Sequence, residues 1–323
     1  IVYSMGVSKT DFYAHQFKPV MKFIQSIDRS ILVADEVGLG KTIESMFIWQ
    51  EMQARTNAKR LLIICPSALC EKWRNEVGEK FSQNADILTM SGLVERMHRV
   101  WTGEANLVFT AVCSIEGLRV GYNNEMHESR YEALSDRQKF KYIIEQYSGI
   151  EDEKLFDMVI IDEAHRLRNS ETLSNKLAKG LRSVCNAFVL LSATPIQTST
   201  IDLYNLMHLV NPYIYNNATV FSDMMRDNVP IIKAIGLLLK EQAIGEVRDE
   251  LEHALQTRTF ARDGQILNIK NLLSDDLGVA KRIELARLLE NKSFLGKYLT
   301  RTRKSDVFEQ RVIRDLVTLE LEF

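Results

Sequence analysis

The chain has 323 residues, 46% of them hydrophobic and 26% charged, with 41 Lys and Arg against 43 Asp and Glu for a formal net charge of −2. That hydrophobic share excludes a disordered chain and supplies a sizeable core, enough for one large domain with an appendage or for two domains. The near balance of charge excludes a global basic field, so any contact with nucleic acid has to come from a local patch.

No apolar run reaches membrane-spanning length, and no signal-peptide pattern opens the sequence, so secretion is not expected. Cys65, Cys70, Cys113 and Cys185 lie mostly in or beside apolar strand-like runs without metal-ligand spacing, and read as buried thiols of a reducing compartment. There are no internal repeats and no low-complexity segment.

Residues 1–30 read as an entry helical region. From 31 to 212 apolar strands alternate with helices, the rhythm of a mostly parallel sheet covered on both faces, so the expected fold class is α/β. The first strand is Ile31, Leu32 and Val33, and ADEVGLGKT follows at 34–42. Gly38 and Gly40 lack β-carbons, so the backbone there is free to wrap around phosphate oxygens and present its N–H groups. Lys41 supplies a point charge for the β- and γ-phosphates, and Thr42 offers a hydroxyl to magnesium. Ile43, Met46 and Phe47 keep helical spacing, which points a helix N-terminus at the anion. The dipole contributes only roughly 0.3–1 kcal/mol, so the loop amides, Lys41 and the metal carry most of the binding. The generic phosphate-loop pattern has Gly where this chain has Asp35, so the loop is a variant.

Further strands are predicted at 61–65, 86–90 and 107–112. Trp73 keeps helical spacing with Leu69 and Val77 and reads as core packing rather than a stacking platform. A polar excursion spans Gly117 to Phe156, with a helix marked by Phe140, Ile143, Ile144 and Tyr147. The apolar run Met158–Ile161 leads into IIDEAHRLRN at 160–169, which sets two carboxylates at a strand tip. Asp162 suits a magnesium ion, usually held through water, and Glu163 suits orienting or deprotonating an attacking water. An acidic pair at that position also serves as a helix cap. His165 fits a polar core histidine as well as a relay between the nucleotide site and the next strand. Beyond Ser170, a helix carries Leu173, Leu177 and Leu181. The strand Phe188–Leu191 ends in Ser192, Ala193, Thr194 and Pro195. Hydroxyls there suit a report on the γ-phosphate, and equally an ordinary turn. After Pro212 strand patterns stop, and Val247, Leu251 and Leu255, then Leu285 and Leu289, keep four-residue spacing.

On these motifs the chain resembles the first RecA-like lobe of a superfamily-two helicase, specifically the SWI/SNF-type DNA translocase branch. ADEVGLGKT matches that branch's first motif, Asp35 included. CPSALCEKWRNE at 65–76, DEAHRLRN, LSATPIQTSTIDLYNLMHLVNP at 191–212, FYAHQF at 12–17 and YLTRTRKSDV at 298–307 follow in family order over nearly the whole chain.

The resemblance implies a RecA-like ATP-binding lobe over 1–212, a helical projection over 213–296, and a basic segment over 297–323 leading to a second lobe. It implies ATP and magnesium as cofactors. Gln16 would meet the adenine edge, and Asp35, Glu36, Gly38, Leu39, Gly40, Lys41 and Thr42 would surround the nucleotide. Thr42 and Asp162 would hold the metal, while Lys41, Asp162 and Glu163 would carry hydrolysis. His165, Ser192 and Thr194 would couple the nucleotide to movement. Duplex DNA is the implied partner, touched by Ser67 and Thr110, each after a strand, and by Arg301, Arg303 and Lys304; a solvated basic face explains the last three as well. The second lobe of the same polypeptide is the other implied partner.

The expected activity is a DNA-stimulated ATPase that moves along duplex DNA, in the nucleoid of a prokaryote or the nucleus of a eukaryote. The chain opens on Ile1 rather than Met and reads as a piece of a longer protein. Without the second lobe's arginine finger, worth about a thousandfold or more in turnover, slow hydrolysis is expected of it alone. A helicase acting on RNA or single strands, and a nucleotide-gated binding module without productive hydrolysis, stay open as alternatives. A phosphate-loop kinase leaves the DEAH and SATP segments unexplained.

Overall fold

A computed structural model describes residues 13–119, 131–150, 153–193, 199–302 and 304. In chain order the first elements are α1 (Phe17–Gln25), β1 (Ser30–Val33), α2 (Lys41–Thr56), β2 (Arg60–Cys65) and α3 (Cys70–Phe81). Then come β3 (Asp86–Ile87), α4 (Met90–Trp101), β4 (Phe109–Ser114), the short α5 (Ile115–Leu118) and α6 (Asp136–Ser148). β5 (Phe156–Ile161), α7 (Leu173–Ser183), β6 (Cys185–Leu191) and α8 (Thr200–Val210) complete the alternation. Last are α9 (Ala218–Asp227), α10 (Val229–Leu239), α11 (Ile244–Gln256), α12 (Gly264–Asn271), α13 (Val279–Lys292) and β7 (Leu299–Thr300).

Among the described residues seven strands form one parallel sheet in the order β3-β4-β2-β5-β6-β1-β7. Its strands are apolar on both faces because side chains alternate up and down along each one. In β2, Leu62 and Ile64 join the core beneath α4 to α8, while Leu61, Ile63 and Cys65 pack against α1, α2 and α3. Each such Leu or Ile, wholly removed from water, contributes about 1.5–3 kcal/mol before entropy is subtracted. Side-chain oxygens start several of the helices: Thr172 caps α7, Ser199 caps α8 and Asn217 caps α9 by accepting from backbone N–H groups of the first turn.

A third, separate core joins α10 to α13 through Ile231, Leu238, Val247, Leu251, Ile269, Leu285 and Leu289. The four-residue spacing after Pro212 is the inner face of these helices. Tyr215 and Phe221, by contrast, pack into the core of the sheet, against Phe294 and Tyr298.

Three sequence expectations need correction. The strand expected over 86–90 stops at Ile87, and Thr89 instead caps α4, its hydroxyl accepting from Gly92 N at 3.4 Å. Thr110, expected after a strand, is buried near the start of β4, opposite Leu61. The apolar run carries β4 on through Val112 and Cys113, so the hydroxyl at its far end is that of Ser114, which caps α5 by accepting from Gly117 N at 3.0 Å. The segment after residue 297, expected only as a basic exit, contributes β7, with Leu299 beside Leu32 and Thr300 beside Val33.

Because every strand runs the same way, the loops after β1, β2, β5 and β6 emerge along one edge of the sheet. That edge is where open parallel sheets bind ligands.

Candidate active site

The loop after β1 is built by two left-handed glycines, Gly38 at φ 89° and Gly40 at φ 97°. That backbone costs an L-side chain strain, and at Gly40 a β-carbon would also run into the Gln16 amide. Gly40 is the N-cap of α2, so the first N–H groups of that helix open toward the loop. Lys41 Nζ donates to the Asp35 carbonyl at 2.9 Å, which folds the lysine back across the loop. From the other side Gln16 Nε2 donates to Leu39 O at 3.0 Å, and the buried Gln16 Oε1 has no partner. His15 Nε2 lies 3.3 Å from the same carbonyl.

Beneath the loop, Asp35 and Glu44 are both fully buried. Burial first, and then the neighbouring Asp35 carboxylate, push the Glu44 carboxyl up to about 10, so Glu44 is protonated. Its proton supplies the donor that Asp35 Oδ2 otherwise lacks. The second oxygen, Asp35 Oδ1, accepts from Thr302 N at 3.0 Å. Glu36 is exposed, and its Oε2 accepts from Lys304 N at 2.7 Å. Thr42 is half-buried on the first turn of α2, and its carbonyl accepts from Ser45 Oγ.

Asp162 and Glu163 leave the tip of β5. Register places Ile161 beside Leu190, and Leu191 beside Val33, so β6 alone separates the carboxylates from the phosphate loop. Two inter-strand steps amount to roughly 10 Å, a span that a nucleotide tail and a hydrated cation bridge. Asp162 is fixed at three points. Its N–H donates to Ile64 O at 2.8 Å, Oδ1 accepts from Glu163 N at 2.7 Å, and Oδ2 accepts from Trp73 Nε1 at 3.0 Å.

Trp73 is buried, as its spacing predicts, but its polar edge also holds the carboxylate. Helical spacing reports the face of a residue, not the atom at its rim, so nothing in the sequence signalled this bond. Glu163 sits at φ 51°, which turns the chain sharply and lifts its side chain off the strand line. His165 Nδ1 approaches Glu163 Oε2 to 3.1 Å, off the line of a hydrogen bond.

Ser192 is buried beside the loop, its N–H donating to Val33 O at 2.9 Å. Thr194 and Arg303 lie outside the described residues. Ser67 is exposed after β2, and its N–H donates to Glu116 Oε2 at 3.1 Å, while Arg166 pairs with Glu116 Oε1 at 2.6 Å. Burial would raise the Glu116 carboxyl, but the N–H donors and Arg166 hold it below the usual carboxylate value. Arg301 is exposed, and Lys304 passes over Gly38. So the structure gathers Gln16, residues 35–42, Asp162, Glu163, His165 and Ser192 along one edge, with Ser67 on the same edge and Thr110 away from it.

The profile of the SNF2-related domain matches residues 15–314. The chain belongs to the SNF2-related family. This SNF2-related domain is 31% identical over 199 residues to the uncharacterized ATP-dependent helicase YqhH of Bacillus subtilis, an alignment covering 61% of this chain and 29% of that protein. It is 25% identical over 312 residues to the RNA polymerase-associated protein RapA of Histophilus somni, covering 94% of this chain and 30% of RapA. With the DNA repair and recombination protein RAD54 of Oryza sativa it shares 26% identity over 196 residues, 59% of this chain and 18% of RAD54. Each alignment therefore covers less than a third of the length of the relative. Family membership makes this a RecA-like lobe of the superfamily-two, helicase-like type.

The residues present fit ATP and magnesium. Gln16 Oε1 is a buried acceptor without a donor, which the amino group of an adenine would satisfy. The glycines, the α2 N-terminus and Lys41 offer donors suited to phosphate. Among the described residues no cluster of three or more His, Cys, Asp or Glu could hold a metal ion. One hydroxyl at Thr42 and one carboxylate at Asp162 match magnesium, which keeps several waters and shares its shell with phosphates. Among the described residues no helix is long and apolar enough to cross a membrane.

Proposed function

We propose that this SNF2-related domain is the ATP-binding half of a DNA-stimulated ATPase that translocates along duplex DNA. The observation that carries the reading is the pairing, across a single strand, of the glycine loop with the Asp162–Glu163 tip in a chain of this family. The name of RAD54, a relative in DNA repair and recombination, supports DNA as the track. In this reading residues 1–212 form the ATP-binding lobe together with β7 and the Tyr215 and Phe221 that pack on its sheet, α10 to α13 form a helical projection, and the chain beyond β7 leads into a second lobe. Ser67, Arg301, Arg303 and Lys304 are the residues we assign to phosphate contacts of the DNA, which position without reading sequence. Work on DNA puts the protein in the nucleoid or the nucleus.

When bound, ATP brings the anhydride bond and magnesium neutralises its phosphate charge. Gln16 would take the adenine edge, and the amides of residues 38–42 would cradle the phosphates. Lys41 would release the Asp35 carbonyl and turn to phosphate oxygen. Thr42 and Asp162 would hold the metal, Asp162 already oriented by Trp73 and by Glu163 N. Glu163, lifted from the strand by its left-handed backbone, would orient the attacking water and take its proton. His165 beside it, Ser192 at the neighbouring strand end, and Thr194 would relay occupancy of the site.

The test is phosphate release by the full-length protein with duplex DNA, single-stranded DNA or RNA added in turn, and Glu163→Gln as the blank. Stimulation by duplex DNA that drops at least a hundredfold in the blank is expected, the usual magnitude for loss of a general base. Stimulation by RNA alone, or full function of the blank, would overturn the reading.

A further inference from the structure

Two carboxylates of the phosphate loop, those of Asp35 and Glu36, accept from the backbone of the chain that follows β7. The backbone ladder between β1 and β7 does not stop where the strands end. Leu32 N donates to Tyr298 O at 2.8 Å, Ala34 N to Thr300 O at 2.8 Å, and Glu36 N to Thr302 O at 3.0 Å. Then the side chains take over, Asp35 Oδ1 accepting from Thr302 N and Glu36 Oε2 accepting from Lys304 N. Five hydrogen bonds thus tie residues 298–304 to the strand and loop that would receive the phosphates. Asp35 is the residue that departs from the generic loop pattern, where a glycine could offer no such acceptor.

The lower end of the segment is anchored independently. Tyr298 Oη donates to Asp28 Oδ2 at 2.6 Å, Asn211 Nδ2 reaches both at 2.6 and 3.1 Å, and Lys22 Nζ donates to Leu299 O at 3.1 Å. With the lower end held in this way, the bonds to the loop carboxylates lie at the upper end, at Thr302 and Lys304.

Lys41 now occupies the Asp35 carbonyl. A phosphate bound in the loop competes for that ammonium, so the two loop states differ in free energy at Asp35, as a switch requires.

We propose that Asp35 and Glu36 are positioning residues that latch segment 298–304 to the phosphate loop, so that occupancy of the loop is passed to the chain beyond residue 304. The proposal rests on the ATP-site reading above. On occupancy Lys41 leaves the Asp35 carbonyl, the loop backbone resettles around the anion, and the two carboxylates carry Thr302 N and Lys304 N with them.

The test is amide hydrogen exchange at Thr302 and Lys304 in the full-length protein, with and without magnesium and a non-hydrolysable ATP analogue at saturation. Isothermal titration establishes saturation. Wild type is expected to change exchange at these two amides at least threefold on binding. Asp35→Gly should raise basal exchange at Thr302 about tenfold and abolish the response there. Asp35→Asn, whose Oδ1 still accepts, should restore it. Glu36→Ala, at an exposed position that leaves folding intact, should free Lys304 alone, and Glu36→Gln should not. A simply structural Asp35 would alter stability without altering this dependence on nucleotide. Binding with unchanged exchange at both amides, or a preserved response in Asp35→Gly, would overturn the latch alone. Absence of nucleotide binding by wild type would overturn the ATP-site reading, and the latch with it.

Discussion

Replacing Trp73 by Phe keeps an aromatic ring against the core while deleting the N–H that holds Asp162 Oδ2 at 3.0 Å. A hydrogen bond to a charged group contributes about 1.5–3 kcal/mol. Asp162 is half-buried, so water replaces part of the loss and the lower figure applies. About 1.5 kcal/mol corresponds to roughly a tenfold change in an equilibrium constant. The other oxygen stays fixed by Glu163 N, so the carboxylate swings rather than leaves. Trp73→Phe should therefore weaken the magnesium-dependent part of ATP affinity about tenfold. The missing ring volume should separately cost about 1–2 kcal/mol of stability. The assay is titration of ATP binding with magnesium at saturation and again with chelator. A variant whose affinities fall equally in both conditions, or in neither, would refute the positioning of Asp162 by Trp73 and leave packing as its whole role.

Gly40→Ala asks an alanine to sit at φ 97° and to displace the Gln16 amide, so nucleotide affinity should drop at least tenfold, with about 1–2 kcal/mol of backbone strain visible as lower thermal stability. Unaltered ATP affinity would argue against the docking of Gln16 on this loop.

Glu290 joins α13 to α1 through Lys18 and Lys22 at 2.8 and 3.0 Å. Burial alone would raise its carboxyl, but Lys22 and then Lys18 hold it below its ordinary 4.5. Its contribution is thus present above that pH and is lost as the pH falls through the lower folded-state value. Glu290→Gln should cost about 1 kcal/mol at pH 7 and shrink the acid-side loss of stability, measured by denaturant unfolding at stepped pH. Identical pH profiles would discard these two ion pairs as contributors.

Leu251→Ala, in the middle of the third core, should cost about 2–5 kcal/mol and loosen amide exchange across α10 to α13. ATP affinity should stay within twofold; a parallel loss of binding would show that the third core and the nucleotide loop are not independent.

Much of this site was legible from residue types and spacing. Left-handed turns at Gly38 and Gly40, a helix starting at Lys41, and carboxylates at a strand tip are local demands, met by residues next to one another in the chain. The alternation that buries both faces of β2 is local too. What spacing could not give is which distant segments meet. Asp35 and Thr302 are 267 positions apart, and Trp73 and Asp162 are 89 apart, so neither bond leaves a periodic trace. Thr110 was misplaced because an apolar run announces a strand without announcing its end, and β4 continued to Ser114. β7 is two residues long, below the length at which alternation is visible, and exists only because β1 offers it an edge.

The chain by itself determined the glycine loop, the acidic strand tip and the two-faced sheet, since each follows from short-range sterics and hydrophobic pattern. Tertiary structure alone decided that Trp73 grips Asp162 and that Asp35 and Glu36 turn toward residues 302–304. Those pairings depend on strand order and register, which emerge only when the whole sheet closes around its cores.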